Sequence, residues 1–284
     1  MQRLNADTGL GGHADRPVHR SRVDGSSVAV KRYVSADGAK LFEEQRRLWA
    51  SPFGGRRTPP GLARPVEWRP ESRELVAEWI PGGALGSRGD LGLTEHRVEE
   101  SAHLLADLHR SGVEPRRRRD AVRVARSLRR KADDLRDVPG SAGFDVIVAR
   151  LEAVAAATAR HERPVATHGD WSPRNVLVSP DGLRLIDLDR LQHAGAARDV
   201  EYWGAWAWAT LRLSGHPGSW QLAARYREAY LAHRPDARAE LERTAPFHRT
   251  AALLRIAHGW SALRADPDTM ASVIAVAGVV SALL

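Results

Sequence analysis

The sequence has no cysteine. That absence excludes disulfides, thiolate metal sites and cysteine nucleophiles together, and it fits a reducing, cytoplasmic setting. Long apolar runs are missing as well. Residues 1–20 contain none, so no cleaved secretion signal is expected. The C-terminal apolar stretch, Ala271–Leu284, has 14 uncharged residues, short of the roughly 20 that a membrane helix needs. A buried C-terminal helix is expected there, and no membrane partner. There is no internal repeat and no low-complexity tract. What remains, 284 residues with 43% hydrophobic and 27% charged side chains, has enough length to bury a substantial core.

The net charge is +8, and its location matters more than its size. Arg116–Lys131 holds nine basic side chains and one acid, Asp120, so this segment carries the excess and the remainder is near neutral. Within it Ala121, Val124, Ala125, Leu128, Ala132 and Leu135 recur at helical spacing, which puts the arginines on the opposite side of an amphipathic helix. A solvated helix face is the leading reading. A surface for an anionic substrate or partner is the alternative. Nucleic acid is disfavoured, because no recognition motif accompanies the charge.

Along the chain, the first 80 or so residues read as strands with one helix. Val18–Val23 and Ser27–Val34 flank Asp24-Gly25, a hairpin signal. Ala39–Trp49 has helical spacing, and two further strands are expected near 65–69 and 73–80. Pro81-Gly82-Gly83 then breaks the chain. Beyond it, helices are expected near 93–112, 118–136, 142–161, 198–213, 218–232, 246–265 and 269–283, with a strand-rich insert at 165–188. The expectation is an α+β, two-lobed molecule: residues 1–80 as a small β-rich lobe and 81–284 as a larger helical lobe.

The insert carries the chemistry. His168-Gly-Asp-Trp-Ser-Pro-Arg-Asn-Val-Leu177 sets an acid, Asp170, five residues before Asn175. Twelve residues further on comes Asp187, preceded by the apolar Leu183, Leu185 and Ile186 and followed by Asp189. One acid to handle an acceptor hydroxyl, with an amide oxygen and a second acid for magnesium, is the set that ATP-dependent phosphotransfer requires. As isolated motifs these residues suit turns and caps; the complete Asp–Asn–Asp spacing favours chemistry. His168 reads as a brace for the loop through a backbone hydrogen bond rather than as an acid or base.

In Val28-Ala-Val-Lys31, strand alternation places Ala29, Lys31 and Tyr33 on one face. A small residue beside a lysine suits a nucleotide cleft, with Ala29 against the base and Lys31 on the phosphates. Glu44 lies three residues after Leu41 and four before Leu48, so it faces inward and is the expected partner of Lys31. Gly12, within Gly9–His13, is a candidate for a phosphate-covering loop. The Glu78 carbonyl and Ile80 amide are candidates for the adenine edge.

These motifs, HGDWSPRNVL (168–177), LIDLD (185–189), VAVK (28–31), LVAEWIPGG (75–83) and LLADLHRSG (104–112) with Glu44, resemble the aminoglycoside phosphotransferase and choline kinase-like superfamily. The resemblance implies a protein-kinase-like fold, ATP or GTP with Mg²⁺, and O-phosphorylation of a small molecule by a monomer or homodimer. It implies Asp170 as the catalytic acid acceptor, Asn175 and Asp187 as metal ligands, and Lys31 with Glu44 on the phosphates. Asp199 falls where the family has a structural acid. The acceptor is less defined. Asp189, Glu201, Trp203 and Trp206 are candidates to touch it, since carboxylates suit polycations and aromatic faces suit sugars, nucleosides or quaternary ammonium groups. An antibiotic acceptor, for resistance or tailoring, leads. A choline- or sugar-type metabolic kinase is second, and a silent pseudokinase or basic binding module belongs to another class. The basic helix points away from a polycationic acceptor.

Overall fold

The hairpin at Asp24-Gly25 forms because both residues take positive φ, 48° and 78°, a turn whose twist matches the strands it joins. The computed structural model in which it is seen describes residues 18–34, 37–87, 93–261 and 266–284. Strand β1 (Val18–Val23) pairs antiparallel with β2 (Ser26–Arg32), β2 with β4 (Glu74–Glu78), and β4 with β3 (Pro65–Arg69). The sheet order is therefore β1-β2-β4-β3. Alternation along β2 does what its residue types dictate. Val28 and Val30 join Val76 in a small core, while Ala29 and Lys31 take the opposite, half-buried face. Helix α1 (Asp37–Ala50) packs on β3 and β4, burying Glu44, Gln45 and Leu48.

After Glu78 the chain leaves this sheet. Gly83–Ala84 forms β5, which pairs with β7 (Val176–Ser179), itself paired with β8 (Gly182–Leu185). Gly82 makes the connection possible: its φ is 137°, and a Cβ there would collide with the Val178 carbonyl oxygen. A third, two-stranded sheet joins β6 (Pro164–Thr167) to β9 (Gln192–Gly195).

Helices make up the rest: α2 (Glu95–His109), α3 (Ala121–Asp134), α4 (Phe144–Ala159), α5 (Ala197–Leu213), α6 (Gln221–His233), α7 (Arg238–Ser261) and α8 (Pro267–Ser281). Asp120 caps α3, its carboxylate accepting from the Arg123 N–H, and the six apolar positions expected to be inward are all buried. Helix α7 begins eight residues before the expected start. Pro246 reads as a helix start, yet it sits inside α7. Burial of Leu241, Ala245 and Phe247 on either side outweighs the one backbone donor lost. The apolar C-terminal stretch forms the buried α8, and among the described residues no helix is long and apolar enough to cross a membrane.

Helix α5 lies between two cores and contributes to both. Trp206 joins the core built with α3, α4, α7 and α8, and Trp203 joins the core around α2, β8 and α6. This corrects the expectation that these tryptophans touch an acceptor. Trp203 is fully buried and stacked on Tyr226 with ring centroids 4.1 Å apart; Trp206 is 4% exposed. Both fill space between helices, where an indole contributes most. Trp203→Ala is expected to cost about 3–5 kcal/mol, read as a lower denaturant midpoint in equilibrium unfolding.

Candidate active site

The site forms where the loop after β6 meets the loop after β8. Its shape begins with Asp199, at the start of α5. The buried carboxylate accepts two backbone N–H groups, His168 at 2.6 Å and Gly169 at 2.9 Å, and lies 3.4 Å from His109 Nε2. Burial alone would raise its pKa; the His109 contact, charge from the histidines and the Gly169 N–H together hold it below the usual carboxylate range. His168 then locks the next turn. Its Nε2 donates to the Ile186 carbonyl at 2.9 Å, which leaves Nδ1 to accept the Asp170 N–H at 3.2 Å. The brace expected at His168 is what the structure shows. Gly169 is required by the same geometry: its φ is 77°, and a Cβ would strike the Arg190 carbonyl.

Held in this way, Asp170 is 8% exposed and ringed by cations. Arg255 lies 2.8 Å from Oδ1; Arg174 and Arg190 lie 3.3 Å and 3.8 Å from Oδ2. Burial pushes this carboxyl up, but Arg255, Arg174 and Arg190 more than offset it and keep the group far below the usual range. Asn175 donates its Nδ2 to the Asp170 carbonyl at 2.8 Å. The nitrogen is thereby committed, and the amide oxygen is left for another partner.

Asp187 takes the left-handed conformation, φ 58° and ψ 58°, at the end of the buried strand β8. Its Oδ1 accepts from Lys31 Nζ at 2.7 Å, and the same ammonium lies 2.8 Å from Asp189 Oδ2. Burial would lower the Lys31 pKa, yet the two carboxylates raise it above its ordinary value. Asp189 also accepts from the Tyr33 hydroxyl at 2.6 Å. The face shared by Ala29, Lys31 and Tyr33 therefore closes on the loop bearing Asp187 and Asp189.

Three expectations need correction. Lys31 pairs with the two aspartates, whereas Glu44, buried as expected, accepts the Arg116 backbone N–H at 2.7 Å. Two charged oxygens within reach outcompete one on a helix already engaged elsewhere. Glu201 is also buried and paired, with Arg249 at 2.7 Å and Arg227 at 3.5 Å, so it offers no carboxylate to a cationic acceptor. Asp189 serves Tyr33 and Lys31 across the cleft instead of lining an acceptor site. Ala29 is half-buried opposite Ala77; Glu78 ends β4, paired with Val28, and Ile80 follows two residues later with a buried side chain. Gly12 lies outside the described residues.

Arg255 and Arg190 were not among the sequence-derived candidates. Arg255 had a readable signal: a lone charge within Ala251-Ala-Leu-Leu-Arg-Ile-Ala257 on a helix whose neighbours there are buried. Such a cation requires a partner, and that partner is Asp170.

A four-stranded sheet, a linker and a helical body, with Lys31 reaching from the sheet to Asp187 and Asp189, make up the architecture of protein-kinase-like phosphotransferases. The chain belongs to the phosphotransferase enzyme family, whose model matches residues 10–247. Two aminoglycoside 3'-phosphotransferases are similar to it, one from Streptomyces ribosidificus at 30% identity over 175 residues and one from Streptomyces fradiae at 33% over 180. Each alignment covers 57% of this chain, and they span 63% and 62% of those relatives, less than two thirds of their length. Among solved structures, a choline kinase from Cryptosporidium parvum Iowa II shares the fold at a TM-score of 0.68 and 11% identity, with 99% of this chain and 91% of that one covered.

The pH dependence of Asp199 can be measured. Because its folded pKa is depressed, its contribution to stability is complete above the unfolded value and is lost as pH falls through the folded one. Asp199→Asn is expected to cost about 1.5–3 kcal/mol at neutral pH. The gap to wild type should shrink below about pH 4. Denaturant unfolding across pH checks both.

Proposed function

We propose that this chain is an O-phosphotransferase that moves the γ-phosphate of ATP, with GTP the other candidate, to a hydroxyl of a small molecule. The observation that carries the reading is the approach of Lys31 from β2 to Asp187 across the cleft, beside the Asp170–Asn175 loop. A lysine on a sheet facing two oxygen ligands and a separate acid has little structural purpose, since an apolar pair would hold the parts together at lower desolvation cost.

The residues fit magnesium. Asp187 offers a carboxylate, and Asn175 an amide oxygen made available by the commitment of its nitrogen. Both are hard oxygen donors of the kind that a small divalent cation takes alongside phosphate and water. When bound there, such an ion supplies neutralisation of phosphate charge. Lys31 binds phosphate oxygens, and Asp189 and Tyr33 hold the rim of the cleft. Asp170 accepts and orients the hydroxyl. Its depressed pKa makes it a weak base, which suits a loose transition state in which positioning matters more than proton abstraction.

The aminoglycoside-modifying relatives support an antibiotic acceptor, in resistance or tailoring. A metabolic acceptor of the choline or sugar class is the second reading, supported by fold alone. A silent pseudokinase is disfavoured by the presence of Lys31, Asp170, Asn175 and Asp187 together. Location in the cytoplasm accords with the absence of cysteine.

The chemistry is tested by ATP consumption over a library of hydroxylated compounds. Asp170→Asn should retain nucleotide affinity while turnover falls by about a hundredfold or more. Turnover equal to wild type would defeat the assignment. Asp187→Ala should lose the magnesium-dependent part of ATP affinity, measured calorimetrically with and without the ion. Lys31→Ala should weaken nucleotide binding, and unchanged affinity and turnover would remove it from the phosphate site.

A further inference from the structure

Beside Asp170 lies a cavity of about 60 Å³, enough for a few water-sized groups. It is lined by Arg117, Arg119, Lys131, Arg190, Arg198 and Arg255, with Tyr202 on one wall. These six cations come from five separate stretches: the loop before α3, α3 itself, the turn after β8, the start of α5, and α7. Their convergence is built by the backbone. The Arg117 carbonyl accepts from the His193 N–H at 2.7 Å, and the Arg119 N–H donates to the His193 carbonyl at 3.0 Å, which pins the basic loop along β9.

The nearby acids are already committed. Asp170 faces Arg255, Arg174 and Arg190; Glu162 holds His248 at 2.8 Å; Asp199 holds the catalytic loop. Among the described residues no carboxylate lies within ion-pair distance of Arg117, Arg119, Arg198 or Lys131. The buried Nε atoms of Arg119 and Arg198 have no hydrogen-bond partner. Burial and the neighbouring cations bring Arg119 down to about 10 and Lys131 to about 8; burial with Arg255 and Arg119 brings Arg198 to about 9, against the pull of Asp199. Two of the six cations share Asp170, and clustering the other four with no carboxylate in ion-pair reach marks a site whose missing partner is an anion.

Arg190 and Arg255 connect the cavity to the chemistry, since each lines it and each also touches the Asp170 carboxylate. The phosphate and metal candidates themselves, Lys31, Asn175 and Asp187, are not among the residues that line it. We infer that the cavity takes the anionic head group, a phosphate ester or a carboxylate, of a hydroxylated acceptor whose reacting hydroxyl lies against Asp170. This rests on the phosphotransferase reading above and narrows it: polycationic aminoglycosides and quaternary ammonium alcohols are excluded as the preferred acceptors.

The head group can be tested with inorganic phosphate as the probe, apart from turnover. Phosphate should raise the Tm of the wild-type chain and of Lys31→Ala, and should have no effect on Arg119→Gln. Without phosphate, Arg119→Gln and Arg198→Met should melt above wild type, since each relieves buried positive charge that no carboxylate pairs. No phosphate-dependent rise in wild type, or a ligand-free Tm below wild type in both variants, would overturn the inference. In the turnover assay, glucose 6-phosphate and gluconate should be preferred over glucose, choline and kanamycin, and the better of the two identifies the head group as phosphate or carboxylate. For the accepted anion, Arg119→Gln should raise KM about tenfold or more while leaving nucleotide affinity unchanged. Preference for kanamycin or choline overturns the anionic class and leaves the phosphotransferase reading intact. Phosphate binding lost in Arg119→Gln, with no ATP consumed by any acceptor, supports the anion site and defeats the phosphotransferase reading instead.

Discussion

Lys31, set between Asp187 and Asp189, is the interaction on which the arrangement of the cleft depends. One ammonium neutralises two carboxylates that would otherwise repel each other across a narrow, partly buried gap, and the Tyr33 hydroxyl supports the second of them. The contact joins the four-stranded sheet to the loop that follows β8. It also accounts for the geometry at Glu44, which is free to fix the Arg116 backbone because the lysine is already engaged. On the proposed phosphotransfer reading, a divalent ion held at Asp187 would share the neutralising work with Lys31.

The second organising element is neutral in purpose though charged in means. Asp199, His168 and the Ile186 carbonyl form a chain of bonds that crosses from α5 through the catalytic loop to the strand preceding Asp187. The Asp199–His168 bond is short and fully buried, so it is stronger than its counterpart in water. The effect is to fix Asp170 and Asp187 relative to each other through backbone bonds, without using either carboxylate.

Much of this was legible in the residue order. The alternation of Val28-Ala-Val-Lys31, the spacing from Asp170 to Asn175 and Asp187, the inward stripe of α3 and the bracing role of His168 are local properties, set by strand period, helix period and hydrogen-bond geometry over a few residues. What was not legible depended on contacts far apart in sequence. Lys31 had three acids to choose from, and the choice was made by how α1 sits against the loop before α3. Trp203 and Trp206 read equally well as sugar platforms or as packing, because an indole looks the same in both settings until its neighbours, Tyr226 in the case of Trp203, are in place. Arg255 was separated by 85 residues from the carboxylate it faces. Arg116–Lys131 was read mainly as a solvated face. Its outer arginines, Arg123, Arg126 and Arg130, are exposed, but the pinning of the preceding loop along β9 turns Arg119 inward.

The glycine at 82 has a consequence for motion. It rests directly on the Val178 carbonyl, and the Leu85 N–H, two residues past β5's start, donates to the Val176 carbonyl at 2.7 Å. The tether between sheet and helical body is thus laid flat along β7, the strand that begins immediately after Asn175. Rocking of the sheet about that tether cannot be absorbed by slack in the chain; the torque passes into the strand and reaches the amide of Asn175. Opening the cleft and shifting the Asn175 amide are, on this geometry, one mechanical event.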